Sequence, residues 1–100
     1  MMMAPLRGPE PGRLLAAALL ARLPAGTTLL EQGRTPWASA TFVGTSHRLR
    51  FDCPDRPGAA AFAATVSDAD FTLRGHLLAD ITAAADGSAL AVEALTLIEA

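Results

Sequence analysis

The sequence predicts an α+β domain in which one N-terminal helix packs on a curved antiparallel sheet of five or six strands. The chain has 100 residues, of which 51% are hydrophobic; this is enough for one core and excludes a disordered chain. Residues 14–23 are strong helix formers. From Thr27 onward, apolar and polar residues mostly alternate, with short turns between the segments, as in antiparallel strands.

The N-terminal segment divides into a leader and a helix. Residues 1–9 have no periodicity and contain helix breakers, so we expect a disordered leader followed by a single domain over residues 10–100. Pro11 suits the first position of a helix, and Pro24 with Gly26 ends it. The helix is apolar on nearly all sides, so we expect either the leader and loops or a second subunit to cover it.

Strands are expected at residues 27–31, 38–43, 47–53, 71–83 and 90–99. A sixth segment, 59–66, fits a strand or a short helix. We favour a strand there because its Phe, Thr and Val residues suit a pleated surface.

Two hairpins are expected to join neighbouring strands. One has Gly44-Thr45-Ser46 as its turn, and the other has Asp86-Gly87, a dipeptide that strongly favours a hairpin. The resulting order, a helix followed by an antiparallel meander, resembles that of cystatin-like and related cone-shaped α+β folds.

Charge and cysteine content restrict the classes of partner. All eight basic residues are arginine, and the formal net charge is −2, which disfavours nucleic-acid binding. Residues 1–56 carry seven arginines and four acids, net +3, whereas residues 57–100 carry one arginine and six acids, net −5. This asymmetry favours self-association.

We expect a cytoplasmic protein. Cys53 is the only cysteine, so no intrachain disulfide can form, which fits a reducing compartment. No apolar run reaches the about 20 residues that span a bilayer. The N-terminal apolar run resembles a signal peptide, but Glu10 precedes it, Arg22 follows it at once, and no cleavage site lies close behind, which argues against export.

No nucleotide-binding, metalloprotease, hydrolase or paired-cysteine motif occurs in the sequence. His47 and Cys53 lie six residues apart on one predicted strand, about 20 Å, too far for a nucleophile and its base. His47 is expected to be a half-exposed strand histidine. Asp52-Cys53-Pro54-Asp55 lacks a nearby histidine and is a poor metal site, so we expect no metal and no cofactor.

The sequence leaves two hypotheses for function. The first is a non-enzymatic protein-interaction module that self-associates as a homodimer, with a further protein partner left open and no contact with nucleic acid or membrane. Its interface candidates are Leu14, Leu20, Leu95 and Leu97. The alternative is a small-ligand-binding domain or minor enzyme with a pocket between helix and sheet. Its pocket candidates are Trp37, Asp70, Arg74, His76 and Asp80, with Phe71 in the apolar wall. The competing interpretation of these pocket candidates is that the polar face of the sheet is exposed to water and forms no site, as is common in antiparallel sheets.

Overall fold

The structure is a computed structural model that describes residues 10–98; the expected leader at residues 1–9 lies outside the described part. The elements follow in the order α1 (Pro11–Arg22), β1 (Thr28–Ala38), β2 (Val43–Asp52), α2 (Arg56–Thr65), a 3₁₀ turn (Val66–Asp68), β3 (His76–Asp86) and β4 (Ala89–Ile98). The strands form one open antiparallel sheet in the order β1-β2-β4-β3.

The α+β class and the antiparallel sheet are therefore confirmed. The described residues contain four strands instead of five or six, and two helices instead of one, so the cystatin-like order of elements is not matched.

Both helices pack on the same face of the sheet, which we call the helix-side face. Leu15 and Leu19 of α1 are fully buried in one core with Leu49, Phe51 and Val92 from the two central strands. We call the opposite surface the open face, because no helix of the described residues lies over it. This arrangement gives the chain one covered and one uncovered sheet surface.

The helix α1 matches its predicted bounds, and its first turn is well capped. Both carboxylate oxygens of Glu10 accept backbone N–H groups, from Gly12 at 2.6 Å and from Arg13 at 3.2 Å. The side-chain amide of Gln32 in β1 donates to the Gly12 carbonyl at 2.7 Å and ties this end to the sheet.

No helix among residues 10–98 combines the length and apolar character needed to cross a bilayer.

The first hairpin lies elsewhere than predicted. The strand β1 continues through residues 32–36 to Ala38, and the turn falls at residues 39–42 instead of 44–46. Because β1 is an edge strand, Pro36 can be accommodated without loss of a ladder hydrogen bond. Ser39 closes the turn: its hydroxyl accepts the Phe42 N–H at 3.0 Å, and its own N–H donates to the Phe42 carbonyl at 2.8 Å.

The preference for a strand at residues 59–66 was wrong, because residues 59–65 belong to α2 and Val66 begins the 3₁₀ turn. Asp55 caps the helix by accepting the Gly58 N–H at 2.9 Å, and Pro57 lies in the first turn, where its missing N–H costs nothing. The alanines that follow have the highest helix propensity of any residue. Ala59 is fully buried, so the helix also contributes to the core.

The second hairpin is confirmed, but its first strand starts later and is irregular. Gly87 adopts a φ of 62° in the Asp86-Gly87 turn. The strand β3 begins at His76 instead of residue 71 and has a bulge between Leu78 and Asp80. The bulge reverses the alternation, so Leu77 and Asp80 both point to the open face, while Ile81 packs in the core. Regular alternation without a bulge would place Leu77 and Ile81 on the same face.

Candidate functional site

The open face has a charged band across its centre. Arg48 of β2 lies directly opposite Glu93 of β4, and one step along the strands Arg50 forms an ion pair with Glu31 of β1 at 3.0 Å. All four side chains are exposed. Ion pairs this exposed contribute little to folding, so the band leaves charge available for a partner.

The band lines a shallow groove of about 740 Å³. Small residues form its floor, since Gly33 stands beside Arg48 on β1 and Ala91 stands beside Arg50 on β4. A Cβ added at Gly33 would have no atom within 4 Å, which leaves this part of the surface open. The groove is therefore a recess between long charged side chains.

Beyond the band, and separated from it by the row of Thr35, Ser46, Leu95 and Asp80, one row of the open face is apolar. Trp37, Gly44, Leu97 and Leu77 follow each other across the four strands. Leu97 is only 8% exposed, whereas Leu77 is 52% exposed. Leu97 Cδ2 lies only 3.0 Å from the position a Cβ on Gly44 would take, so the absence of a side chain there lets Leu97 lie flat on the sheet.

The four leucines predicted for an interface differ in location and in burial. Leu95 and Leu97 both lie on the open face, with Leu95 half-buried beside Asp80. On α1, Leu14 packs against the core and Leu20 is 37% exposed. The structure brings Leu95 and Leu97 together on one surface and leaves the two helix leucines elsewhere.

The five residues predicted for a ligand pocket do not share one cavity. Asp70 and His76 line a pocket of about 290 Å³ together with Phe71. Arg22 of α1 holds the segment before β3 in place, because its guanidinium stacks 4.3 Å from the centre of the Phe71 ring and donates to the Asp70 carbonyl. His76 is half-buried, and Asp70 is exposed.

The other three pocket candidates lie apart from that pocket. Trp37 lines a different recess, of about 480 Å³, on the β1–β2 side of the sheet. Asp80 is turned to the open face by the β3 bulge, and Arg74 sits in the turn before β3. Of the predicted pocket set, the structure thus brings only Asp70 and His76 together.

His47 has a setting that the sequence interpretation missed. Its side chain is fully buried on the helix-side face, and its Nε2 is 2.8 Å from the Thr96 hydroxyl, while its Nδ1 has no hydrogen-bond partner among the described residues. The expected half-exposed histidine was therefore wrong. The signal was present, because His47 has the same strand parity as Leu49 and Phe51.

The surroundings of His47, burial above all, lower its pKa. Burial lowers the pKa of His47, and the nearby positive charge of Arg34 and the His76 ring add to this effect, while the Glu10 carboxylate opposes it. The pKa of Glu10 is lowered overall. Partial burial raises it, but the hydrogen bond from the Gly12 N–H and the ion pair with Arg34 lower it by more. The fold therefore disfavours the charged form of His47, whose buried Nδ1 has no hydrogen-bond partner among the described residues.

Cys53 is buried and forms no disulfide among the described residues. The Thr27 hydroxyl donates to its sulfur at 3.4 Å, so the thiol is part of the packing near the start of β1. Within residues 10–98, no group of three or more His, Cys, Asp or Glu side chains is placed to hold a metal ion.

Comparison with known proteins adds no family to this description. No family model matches the sequence, and neither curated proteins nor solved structures gave a match. The functional argument therefore depends on the open face and the pocket themselves.

Proposed function

We propose that this protein is a non-enzymatic interaction module that self-associates as a homodimer through the open face of its sheet. The observation that carries the proposal is that the open face, which no helix of the described residues covers, combines an apolar row with a charged band. Exposed Leu77 on the edge strand β3 lies next to Leu97, and Trp37 ends the same row on the opposite edge strand β1. An apolar surface with polar residues at its border is the usual anatomy of a protein interface.

The size of the open face is consistent with a dimer. Strands lie about 4.8 Å apart and rise about 3.3 Å per residue, so four strands of about ten residues give a projected area of about 600 Å². Two copies stacked face to face would bury about 1,200 Å², the lower bound for specific, stable interfaces. A face-to-face arrangement of two sheets is also a common way to close a sheet surface that lacks a helix layer.

The test is the oligomeric state measured by native mass spectrometry and light scattering over a dilution series. A dimer that persists at high micromolar concentration and dissociates on dilution supports the proposal. A monodisperse monomer throughout the series overturns it.

A matched pair of variants locates the interface. Leu77 and Ile98 are 52% and 50% exposed and lie in neighbouring strands, but Leu77 is on the open face and Ile98 is on the helix-side face. We expect Leu77→Arg to weaken the dimer at least about tenfold and Ile98→Arg to leave it unchanged, because a charge buried without a partner opposes association. The reverse result would place the interface at the helix-side end of the sheet. Leu97 is unsuitable for this test, since it is already buried within one chain.

A second candidate function, small-ligand binding, has one observation in its favour. Asp70 and His76 line the same pocket, whose volume of about 290 Å³ is near the lower limit of ligand sites. A protomer that carries reproducible additional mass in the native spectrum, lost in His76→Ala, would support this function. A protomer at its sequence mass would count against it.

A further inference from the structure

We infer that the two copies are related by a two-fold axis that runs parallel to the strands between β2 and β4, and that Arg48 of each copy pairs with Glu93 of the other. This inference rests on the proposed homodimer and adds the geometry and the residues that specify it. It is derived from the order of side chains on the open face.

The two arginines that the strands present on the open face both lie in one of its halves. In the half formed by β1 and β2, the central strand presents Arg48 and Arg50, with Asp52 at its end, and Glu31 of β1 pairs with Arg50; Arg48 is therefore the arginine of this half without an ion pair among the described residues. In the half formed by β4 and β3, the outward charges are acidic: Glu93, Asp80 and Asp86. A face that presents Arg48 on one central strand and Glu93 on the other can be complementary to a copy of itself.

Only one orientation of the axis uses that complementarity. A two-fold axis parallel to the strands places β2 over β4 of the second copy at the same height along the strand. Arg48 then faces Glu93 of the second copy, and the same contact is repeated on the other side of the axis. The apolar row also matches, because Trp37 comes over Leu77 of the second copy.

An axis across the strands gives the opposite result. It would place β2 over β2 of the second copy with reversed direction, so Arg48 would face Arg48 or Arg50, and Glu93 would face its own copy. Shifting that axis to avoid these contacts brings Glu93 onto Leu95 instead. Juxtaposed like charges and desolvated unpaired carboxylates both oppose association.

The twist of the sheets determines which contacts matter most. Stacked sheets cross at about 30°, so rows far from the axis move out of register while rows beside it stay opposed. Arg48 and Glu93 are on the two central strands, immediately beside the inferred axis. In the described residues, Arg48 forms no ion pair within its own chain, so its guanidinium is available to a partner.

The experiment is a charge exchange between two single variants, Arg48→Glu and Glu93→Arg. In a homodimer of either variant, both contacts join like charges, and we expect the dissociation constant to rise at least about tenfold. When the two variants are mixed, both contacts in the mixed dimer again join opposite charges. The mixture is expected to form a heterodimer with an affinity within about threefold of the wild-type dimer.

Mixing separates the intermolecular effect from the intramolecular one. Arg48 and Glu93 are also cross-strand neighbours within each chain, so either substitution places like charges side by side in the monomer. That repulsion is unchanged by mixing, whereas contacts between copies are restored. Native mass spectrometry reads the result directly, because the two homodimers and the heterodimer differ in mass.

The outcomes distinguish this inference from the homodimer itself. A wild-type chain that is monomeric overturns the proposed function. A wild-type dimer whose two charge variants remain dimeric, or do not form a heterodimer when mixed, overturns the axis and leaves self-association in place. If either variant does not fold, Arg48→Gln and Glu93→Gln remove the charges singly; each is expected to weaken the dimer and reduce its sensitivity to salt, and unchanged affinity refutes the pairing.

Discussion

Gly44 is the position where the smallest change should have a large effect on stability. In Gly44→Ala, the added Cβ would lie 2.0 Å from the Thr96 carbonyl oxygen, whereas real Cβ contacts essentially never fall below 3.0 Å. Strands β2 and β4 must therefore separate locally by at least 1 Å, the difference between these distances. These are the two central strands, so the sheet cannot relax at a free edge.

The expected cost follows from two contributions. Overpacking in a tightly packed region costs about 1–3 kcal/mol. Parting the strands also lengthens the flanking backbone hydrogen bonds, each worth about 0.5–1.5 kcal/mol. We therefore expect Gly44→Ala to lower the free energy of unfolding by at least about 2 kcal/mol, which for a domain of this size lowers Tm by at least about 8 °C.

The same replacement at Gly33 is the matched control. Gly33 is also a strand glycine on the open face, but an added Cβ would meet nothing within 4 Å. Gly33→Ala should therefore raise the free energy of unfolding by about 0.4–1 kcal/mol, because alanine restricts the unfolded chain. Urea unfolding followed by far-ultraviolet circular dichroism measures both variants without relying on Trp37. If the free energy of unfolding of Gly44→Ala is within about 0.5 kcal/mol of the wild-type value, the close approach of β2 and β4 is refuted.

Two further predictions concern stability. Burial lowers the pKa of His47 in the folded protein, so the unfolded chain binds a proton first as the pH falls. The contribution of neutral His47 to the free energy of unfolding is fully present above the pKa of the unfolded chain, about 6.5. Below that pH the free energy of unfolding falls by up to about 1.4 kcal/mol per pH unit. Urea unfolding at pH 7.5 and pH 5.5 measures this pH dependence of the free energy of unfolding. His47→Gln should remove most of the difference between the two pH values. An unchanged difference would show that other groups cause it. Asp55→Ala should lower the free energy of unfolding by about 1 kcal/mol, because the side-chain cap of α2 to the Gly58 N–H is lost. The control Asp68→Ala, at an exposed position, should change the free energy of unfolding by no more than about 0.5 kcal/mol. Equal effects of the two substitutions would count against capping.

Local signals were sufficient for some elements. Pro11 and Pro24 delimit α1 because their rings act on the backbone immediately around them. Asp86-Gly87 located the second hairpin because a turn with positive φ needs only its own residues. Capping by Asp55 is also a local signal, but the aromatic and branched residues of segment 59–66 favour a strand and act against it.

The candidate sites could be predicted only in part. The sequence predicted Leu95 and Leu97 for one interface and Asp70 and His76 for one pocket, and the structure brings each pair together because its members are close along the chain. It could not separate Asp80 from His76, because the β3 bulge that turns them to opposite faces depends on pairing with β4. It also missed the charged band, whose members come from three strands distant in sequence.

The sequence by itself thus determined the α+β class, the extent of α1 and the last hairpin, all of which depend on propensities and turn chemistry within a few residues. Only the tertiary structure decided which face each side chain occupies. That choice fixed the burial of His47 beside Thr96 and the row that joins Trp37 to Leu77. The physical reason is that strand register is set by hydrogen bonds between segments far apart in the chain, and a shift of one residue moves a side chain from the core to the open face.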